Sequence, residues 1–207
     1  MADCSKRSSS GPEAFVPPDI PLFPLGTVLF PGALLPLRIF EARYVDMVGR
    51  CMRSDGTFGV VLINEGSDSS AMVETAAVGT TARVVDFQTL EDGLLGLLCR
   101  GESRFRITQR SRQDDGLNRA EVEWLSDPAG IALDAQYQPM VAVLRDALSR
   151  LANLGRFIEP AYEDAAWVSY RMAELLPLPV NLAQKLLELD DPHERLRLLM
   201  PLIDLNV

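Results

Sequence analysis

The sequence predicts an α+β fold in which a β-rich barrel or sheet lobe is followed by a C-terminal helical bundle. Three observations carry that expectation. Residues 80–124 hold four apolar runs separated by acidic, glycine-bearing breaks, and beyond Asp127-Pro128 the apolar residues switch to spacings of three and four. The balance of 47% apolar to 24% charged side chains in 207 residues is that of a soluble chain able to bury a core. The three cysteines, Cys4, Cys51 and Cys99, are odd in number and scattered, so neither a disulfide framework nor a four-cysteine metal site is expected.

Each element follows in order. Residues 1–16 are rich in Ser, Gly and Pro without an apolar face and read as a flexible tail. Lys6 and Arg7 precede no apolar run, so no secretory leader is expected, and the cytoplasm is the predicted compartment. Residues 20–37 are eighteen uncharged residues, close to a membrane-spanning length, but Pro21, Pro24, Pro31 and Pro36 with Gly26 and Gly32 break any helical ladder. Short extended pieces joined by tight turns are expected there, with no membrane partner. Phe40, Tyr44, Met47, Val48 and Cys51 place one apolar stripe on a helix over residues 40–52. Asp55-Gly56 marks a turn, residues 58–63 a buried strand and residues 64–70 an exposed polar loop.

Strands are expected over residues 80–90, 94–100, 104–110 and 118–124, with turns at Glu91-Asp92-Gly93, Gly101-Glu102-Ser103 and Asp114-Asp115-Gly116. Residues 17–127 would form the β-rich lobe and residues 128–207 the helical one. In the latter, Met140, Val143, Leu144, Leu148 and Leu151 mark a helix over residues 137–154, with further helices over 164–176 and 180–189. The last helix opens at Asp191-Pro192-His193-Glu194. There the aspartate caps, proline takes the first helical position and Glu194 stands where a reciprocal cap partner would.

The motifs that carry chemistry are sparse. No GxxxxGK phosphate loop exists and the only lysines are Lys6 and Lys185, so no nucleotide cofactor is expected. His193 is the single histidine and reads as a residue of the helix cap, and Cys51 and Cys99 as core thiols. No metal site, cofactor or catalytic residue is therefore predicted. The densest basic region is a strand segment on which Arg104, Arg106, Arg110 and Arg112 would share one face opposite Phe105 and Ile107, a candidate anion-binding strip. A net charge of 20 − 29 = −9 disfavours nucleic acid as the partner.

Five segments carry a resemblance. PLFPLGTVLFPG at 21–32, LPLRIFEARYVDMV at 35–48, VGTTARVV at 78–85, GLLGLLCRGESRFRI at 93–107 and QKLLELDDPHERLRLL at 184–199 make the chain resemble the LON substrate-binding domain family over nearly everything after the tail. The resemblance implies a PUA-like β-rich lobe followed by a helical lobe. It also implies a stand-alone recognition domain, because 207 residues leave no room for the ATPase and serine-lysine protease that follow this domain in larger members.

Protein or peptide clients are thus the expected partners, a homodimer is admissible, and RNA or an acidic ligand on the arginine strip is the alternative. Phe30, Leu34, Ile39, Phe40, Tyr44 and Met47 are the candidate peptide contacts, being aromatic or flexible apolar side chains of the matching segments. Pro24, Gly26, Pro31 and Gly32 are expected to fix the chain path, and Arg38, Glu41 and Arg43 to tie the first helix to the sheet.

Overall fold

The computed structural model describes residues 19–54, 56–64, 74–127, 130–150 and 157–203. The expected tail, most of the expected loop at 64–70 and the end of the helix expected over 137–154 lie outside these residues. Strands β1 (Asp19–Leu25) and β2 (Leu34–Ile39) precede helix α1 (Ala42–Cys51). Strands β3 (Thr57–Leu62), β4 (Val78–Thr89), β5 (Leu95–Arg112) and β6 (Asn118–Trp124) follow. Helices α2 (Gln138–Ser149), α3 (Ala165–Leu175), α4 (Val180–Glu188) and α5 (Pro192–Leu199) complete the described chain.

The strands join in the order β2-β5-β4-β3-β1-β6, and β6 also pairs with β5, so five of them close into a ring with β2 attached outside it. All pairings are antiparallel except β1 with β3. Closure is possible because β5 is long and changes partner: residues Leu95 to Arg100 pair with β2, and Phe105 to Arg112 pair with β6.

The turn expected at Gly101-Glu102-Ser103 does not exist. These residues lie inside β5, where the β4 register shifts between Thr80 and Ala82. Gly101 is there for space: a Cβ on it would run into the backbone carbonyl of Phe30. Its amide donates to Ala33 O at 2.9 Å and its carbonyl accepts from Gly32 N at 2.7 Å. A glycine within a strand pattern thus marks the close approach of another backbone rather than a break.

Two apolar clusters fill the fold. Phe105, with Ile20, Leu22, Val61, Ile107, Ala120 and Val122, packs one of them, its ring lying where side chains at Gly59 and Gly79 would otherwise stand. The larger cluster runs from Phe23, Phe58 and Cys99 through α1 to Leu144, Val168, Leu186 and Leu196 of the helices. β3 is buried along its whole length because each of its faces meets one cluster.

On α1, Tyr44, Met47, Val48 and Cys51 form the buried stripe, but Phe40 does not belong to it. The helix begins two residues later, with Glu41 as its N-cap in extended conformation, and this leaves Phe40 71% exposed. On α2 the buried positions are Met140, Val141 and Leu144, and Val143 faces solvent. The caps of α3 and α5 form as their aspartates dictate: Asp164 accepts from Ala166 N and Trp167 N, and Asp191 from His193 N. Glu194 turns toward Arg197 at 3.6 Å.

Gly101→Ala is expected to cost about 1–3 kcal/mol in urea unfolding, because the added carbon forces backbone apart. Gly26→Ala, with open space around its Cα, should change stability by less than about 1 kcal/mol. Equal effects at the two sites would contradict the close-approach role.

Candidate functional site

The segments between β1 and α1 build a cleft of about 400 Å³, lined by Phe23, Pro24 and Leu25 on one side and Pro36 to Ile39 on the other. Phe40, Glu41, Arg43 and Tyr44 from the start of α1, with Ile63 and Asn118, complete its wall. It exists because β6 accompanies β1 only from Asp19 to Pro21, and β2 pairs on one side only, with β5. Phe40 and Ile63 stand at its mouth, 71% and 36% exposed. Helix α1 is pinned beside the cleft by Arg43, which pairs with Glu41 at 2.7 Å and donates to Gly116 O at 2.9 Å. The Arg43 guanidinium also covers the Tyr44 ring at 4.8 Å. The network expected of this motif therefore divides: Glu41 and Arg43 tie α1 to the β5–β6 turn, while Arg38 pairs with Asp92 of the β4–β5 turn.

The six candidate peptide contacts do not share one surface. Phe30, Ile39, Tyr44 and Met47 are core: the Phe30 ring packs 6.0 Å from that of Tyr170 and the Tyr44 ring 4.3 Å from that of Phe23. Ile39 and Tyr44 form the cleft's wall from within, and Phe40 is the exposed member. Leu34 is half-buried in a second cleft of about 370 Å³, between the β1–β2 connection and α3 and α4, which Gly26 also lines. Sequence periodicity could not identify Leu25, Pro36, Ile63 and Asn118 as cleft residues, since four separate chain segments bring them together.

The arginine strip does not form either. Arg106, Arg110 and Arg112 are exposed, but Arg104 is wholly buried. Its Nε donates to Asp127 Oδ1 at 2.9 Å, Nη1 to Leu187 O and Leu189 O at 2.9 and 3.1 Å, and Nη2 to Asp190 Oδ1 at 3.0 Å. Burial alone would lower the guanidinium's pKa, but Tyr170, Asp127 and Asp190 outweigh it and raise the value. Arg110 spends Nη2 on Thr75 O at 2.9 Å and Arg112 points Nε at Gly116 O at 3.4 Å. Strand alternation failed as a guide because the β5–β6 register shifts between Ile107 and Gln109, which puts Arg110 and Arg112, opposite Ala120 and Asn118, on the other face from Arg104 and Arg106. The face that Arg104 shares with Arg106 is covered at Arg104 by the end of α4.

Arg104 is one of three buried guanidiniums among the described residues: it joins β5 to the helices, Arg171 joins α3 to the β1–β2 connection, and Arg195 joins α5 to α3. Tyr170 donates its hydroxyl to Asp127 Oδ1 at 2.6 Å, and burial pushes the pKa of that phenol up. Arg195 lies 4.0 Å over the Tyr170 ring, donating to Ser169 Oγ at 3.0 Å and Leu189 O at 2.6 Å. Arg171, paired with Glu174, donates to Pro31 O at 2.7 Å and Gly32 O at 3.0 Å, holding the Pro31-Gly32 turn, in which Gly32 adopts φ +74°. Burial lowers the pKa of Arg195 and of Arg171. The sequence signal for this joint is Ser169-Tyr170-Arg171, polar groups mid-helix with apolar neighbours on every side.

His193 lies with Nε2 3.7 Å from Asp134 Oδ1 at the start of α5. Cys51 and Cys99 are both buried, and burial pushes the Cys99 thiol up to about 12. Among the described residues no group of three or more His, Cys, Asp or Glu side chains is arranged to hold a metal ion. No helix among them is long and apolar enough to cross a membrane.

Residues 19–204 match the ATP-dependent protease La (LON) substrate-binding domain family. A Lon N-terminal domain protein from Xanthomonas campestris has the same fold, with a TM-score of 0.75 and 39% identity over 90% of this chain and 99% of that one. The N-terminal domain of Mycobacterium avium complex Lon protease shares the fold at a TM-score of 0.61 and 20% identity, covering 88% of this chain and 96% of that one. Among curated proteins, the chain is 24% identical to the Lon protease of Cytophaga hutchinsonii over 92% of its own length, and 26% identical to that of Escherichia coli over 91%. It spans about a quarter of the length of those relatives, 24% and 25% respectively.

Two outcomes follow from the joint. Arg104→Ala should destabilise the protein by about 3–5 kcal/mol in urea unfolding, since it strips partners from a buried network. Asp190→Ala, which removes an exposed carboxylate, should cost less than about 1 kcal/mol. A cost for Arg104→Ala no larger than that of the Asp190 change would refute the joint. Separately, at pH 8 a thiol alkylating reagent followed by peptide mass mapping should leave Cys99 unmodified until urea unfolds the chain. Prompt native labelling there would contradict its burial.

Proposed function

The chain belongs to the LON substrate-binding domain family, and from that premise we propose that it is a noncatalytic recognition module that captures exposed apolar segments of client proteins in the cleft between β1 and β2. The observation that carries this reading is Phe40, a phenylalanine 71% exposed at the rim of a cleft with apolar walls. An aromatic side chain held out in water by a helix N-terminus gains free energy once a partner covers it, by about 1.5–3 kcal/mol when burial is complete.

The surroundings suit capture rather than bond cleavage. Leu25, Leu37 and Ile63 offer apolar surface, and Glu41 and Arg43 are already paired to each other at 2.7 Å. Neither charge is left over to activate a nucleophile, and both can orient polar groups of a segment lying across them. Clients of this kind are unfolded or partly unfolded chains, in which apolar residues meet solvent in extended runs.

A peptide array followed by calorimetric titration of the hits is expected to find apolar segments that bind the full chain. Phe40→Asp should weaken them about tenfold or more, whereas Phe87→Asp, at another exposed aromatic outside this cleft, should leave affinity within about threefold. Failure of every segment to bind, or equal losses in the two variants, would overturn the assignment.

A further inference from the structure

We propose that the cleft takes its client as an added β-strand, an extended non-proline segment whose backbone N–H groups pair with the carbonyls of Pro24 and Pro36. This rests on the recognition reading above and specifies its mode.

The backbone decides what the two sides of the cleft offer. Leu25 O accepts from Ile63 N at 2.8 Å, so Leu25 faces β3, and its neighbour Pro24 faces the other way, into the cleft. On the opposite side, Leu34 N donates to Glu174 Oε1 at 3.4 Å and so points away from β5. Alternation then turns Pro36 and Arg38 away from β5 as well, toward the cleft that both line. Pro24 and Pro36 each present a carbonyl and have no N–H to accompany it. Arg38 adds one donor and one acceptor, and the Leu34 donor is already used. Both edges are therefore short of donors and rich in acceptors.

That imbalance selects the occupant. An extended polypeptide directs N–H groups alternately to its two sides and can serve both edges at once. A helix has spent its donors internally, a polyproline segment has none, and a carboxylate or phosphate would meet carbonyl oxygens. A second copy of this chain docking β2 against β2 would set carbonyl against carbonyl with Pro36 at the centre of the seam, so this edge does not suit a homodimer. The strands themselves run in opposite directions, since β2 is antiparallel to β5, β5 to β4 and β4 to β3, and β3 is parallel to β1. The cleft is thus a vacant strand position between two antiparallel neighbours, with Phe40 and Ile63 placed to cover side chains of the incoming segment.

The test uses the full chain and a peptide whose binding is weakened by Phe40→Asp. The peptide is remade with one N-methyl group at each successive residue, and each version is titrated by fluorescence anisotropy. The expected result is a loss of about tenfold or more at two or three positions within one window of about five residues, with changes below about threefold elsewhere. If every N-methyl peptide binds within threefold of the parent while alanine at its apolar residues abolishes binding, the segment is held by side chains alone. The added-strand mode is then wrong, although the recognition reading stands. If no peptide shows dependence on Phe40, both fall together.

Discussion

Three buried arginines, Arg104, Arg171 and Arg195, that tie the helices to β5, to the β1–β2 connection and to one another set the constraint on which the rest of the structure depends. A guanidinium has five N–H donors and a charge that cannot be discarded, so burying it obliges the surroundings to supply acceptors at fixed places. Arg104, on β5, finds carbonyls at the end of α4 and carboxylates at Asp127 and Asp190. Arg171, on α3, reaches in the reverse direction to the carbonyls of Pro31 and Gly32. An apolar interface tolerates sliding by an ångström, whereas these pairings hold only in one arrangement. Arg195, stacked on Tyr170 and anchored to Ser169, fixes α5 against α3 within the same network.

The cleft inherits its shape from that joint. The Pro31-Gly32 turn is gripped by Arg171 on one side and by the Gly101 carbonyl on the other, so the chain leaves it in only one direction. That direction lays β2 along the first half of β5 and keeps it from folding back on β1 as a hairpin. Two strands joined by a short connection are thereby held apart, each with one edge unsatisfied. Glu174 contributes twice: it pairs with Arg171, and it accepts the Leu34 amide at the head of the free β2 edge. A site near the sheet is thus organised by a helix residue more than a hundred positions away in sequence.

How much of this was legible in the sequence depends on whether the information was local. The turns at Gly93 and Gly116, both with φ near +81°, and the caps at Asp164 and Asp191 were readable because the residues responsible lie within three positions of one another. The switch to spacings of three and four beyond Asp127-Pro128 made the sheet-then-helix order readable, and resemblance of the matching segments supplied the family. What failed was each inference that needed a distant neighbour. Gly101 looked like a turn because the Phe30 backbone that demands a glycine there comes from another segment. Arg104 looked like a solvated strip residue because the helices that bury it lie more than eighty residues downstream. Phe40 fitted the α1 stripe by spacing, but helical spacing has meaning only from residue 42 onward, after the Glu41 cap.

Pro24 and Pro36 show why an open pair of strand edges is tolerable in such a protein. An exposed edge with a regular alternation of donors and acceptors pairs with any similar edge, including its own copy, and so invites aggregation. Placing a proline at the centre of each edge removes the donors that like-with-like pairing requires while leaving the acceptors intact. If the cleft takes an added strand, self-association through these edges would be weakened more than capture of an unfolded chain, because only the unfolded chain brings every N–H uncommitted. On the added-strand proposal, two of the prolines that break the apparent spanning segment in the sequence would also set what the cleft accepts. They act on the backbone hydrogen-bond inventory, which neither hydropathy nor the pattern of buried side chains records.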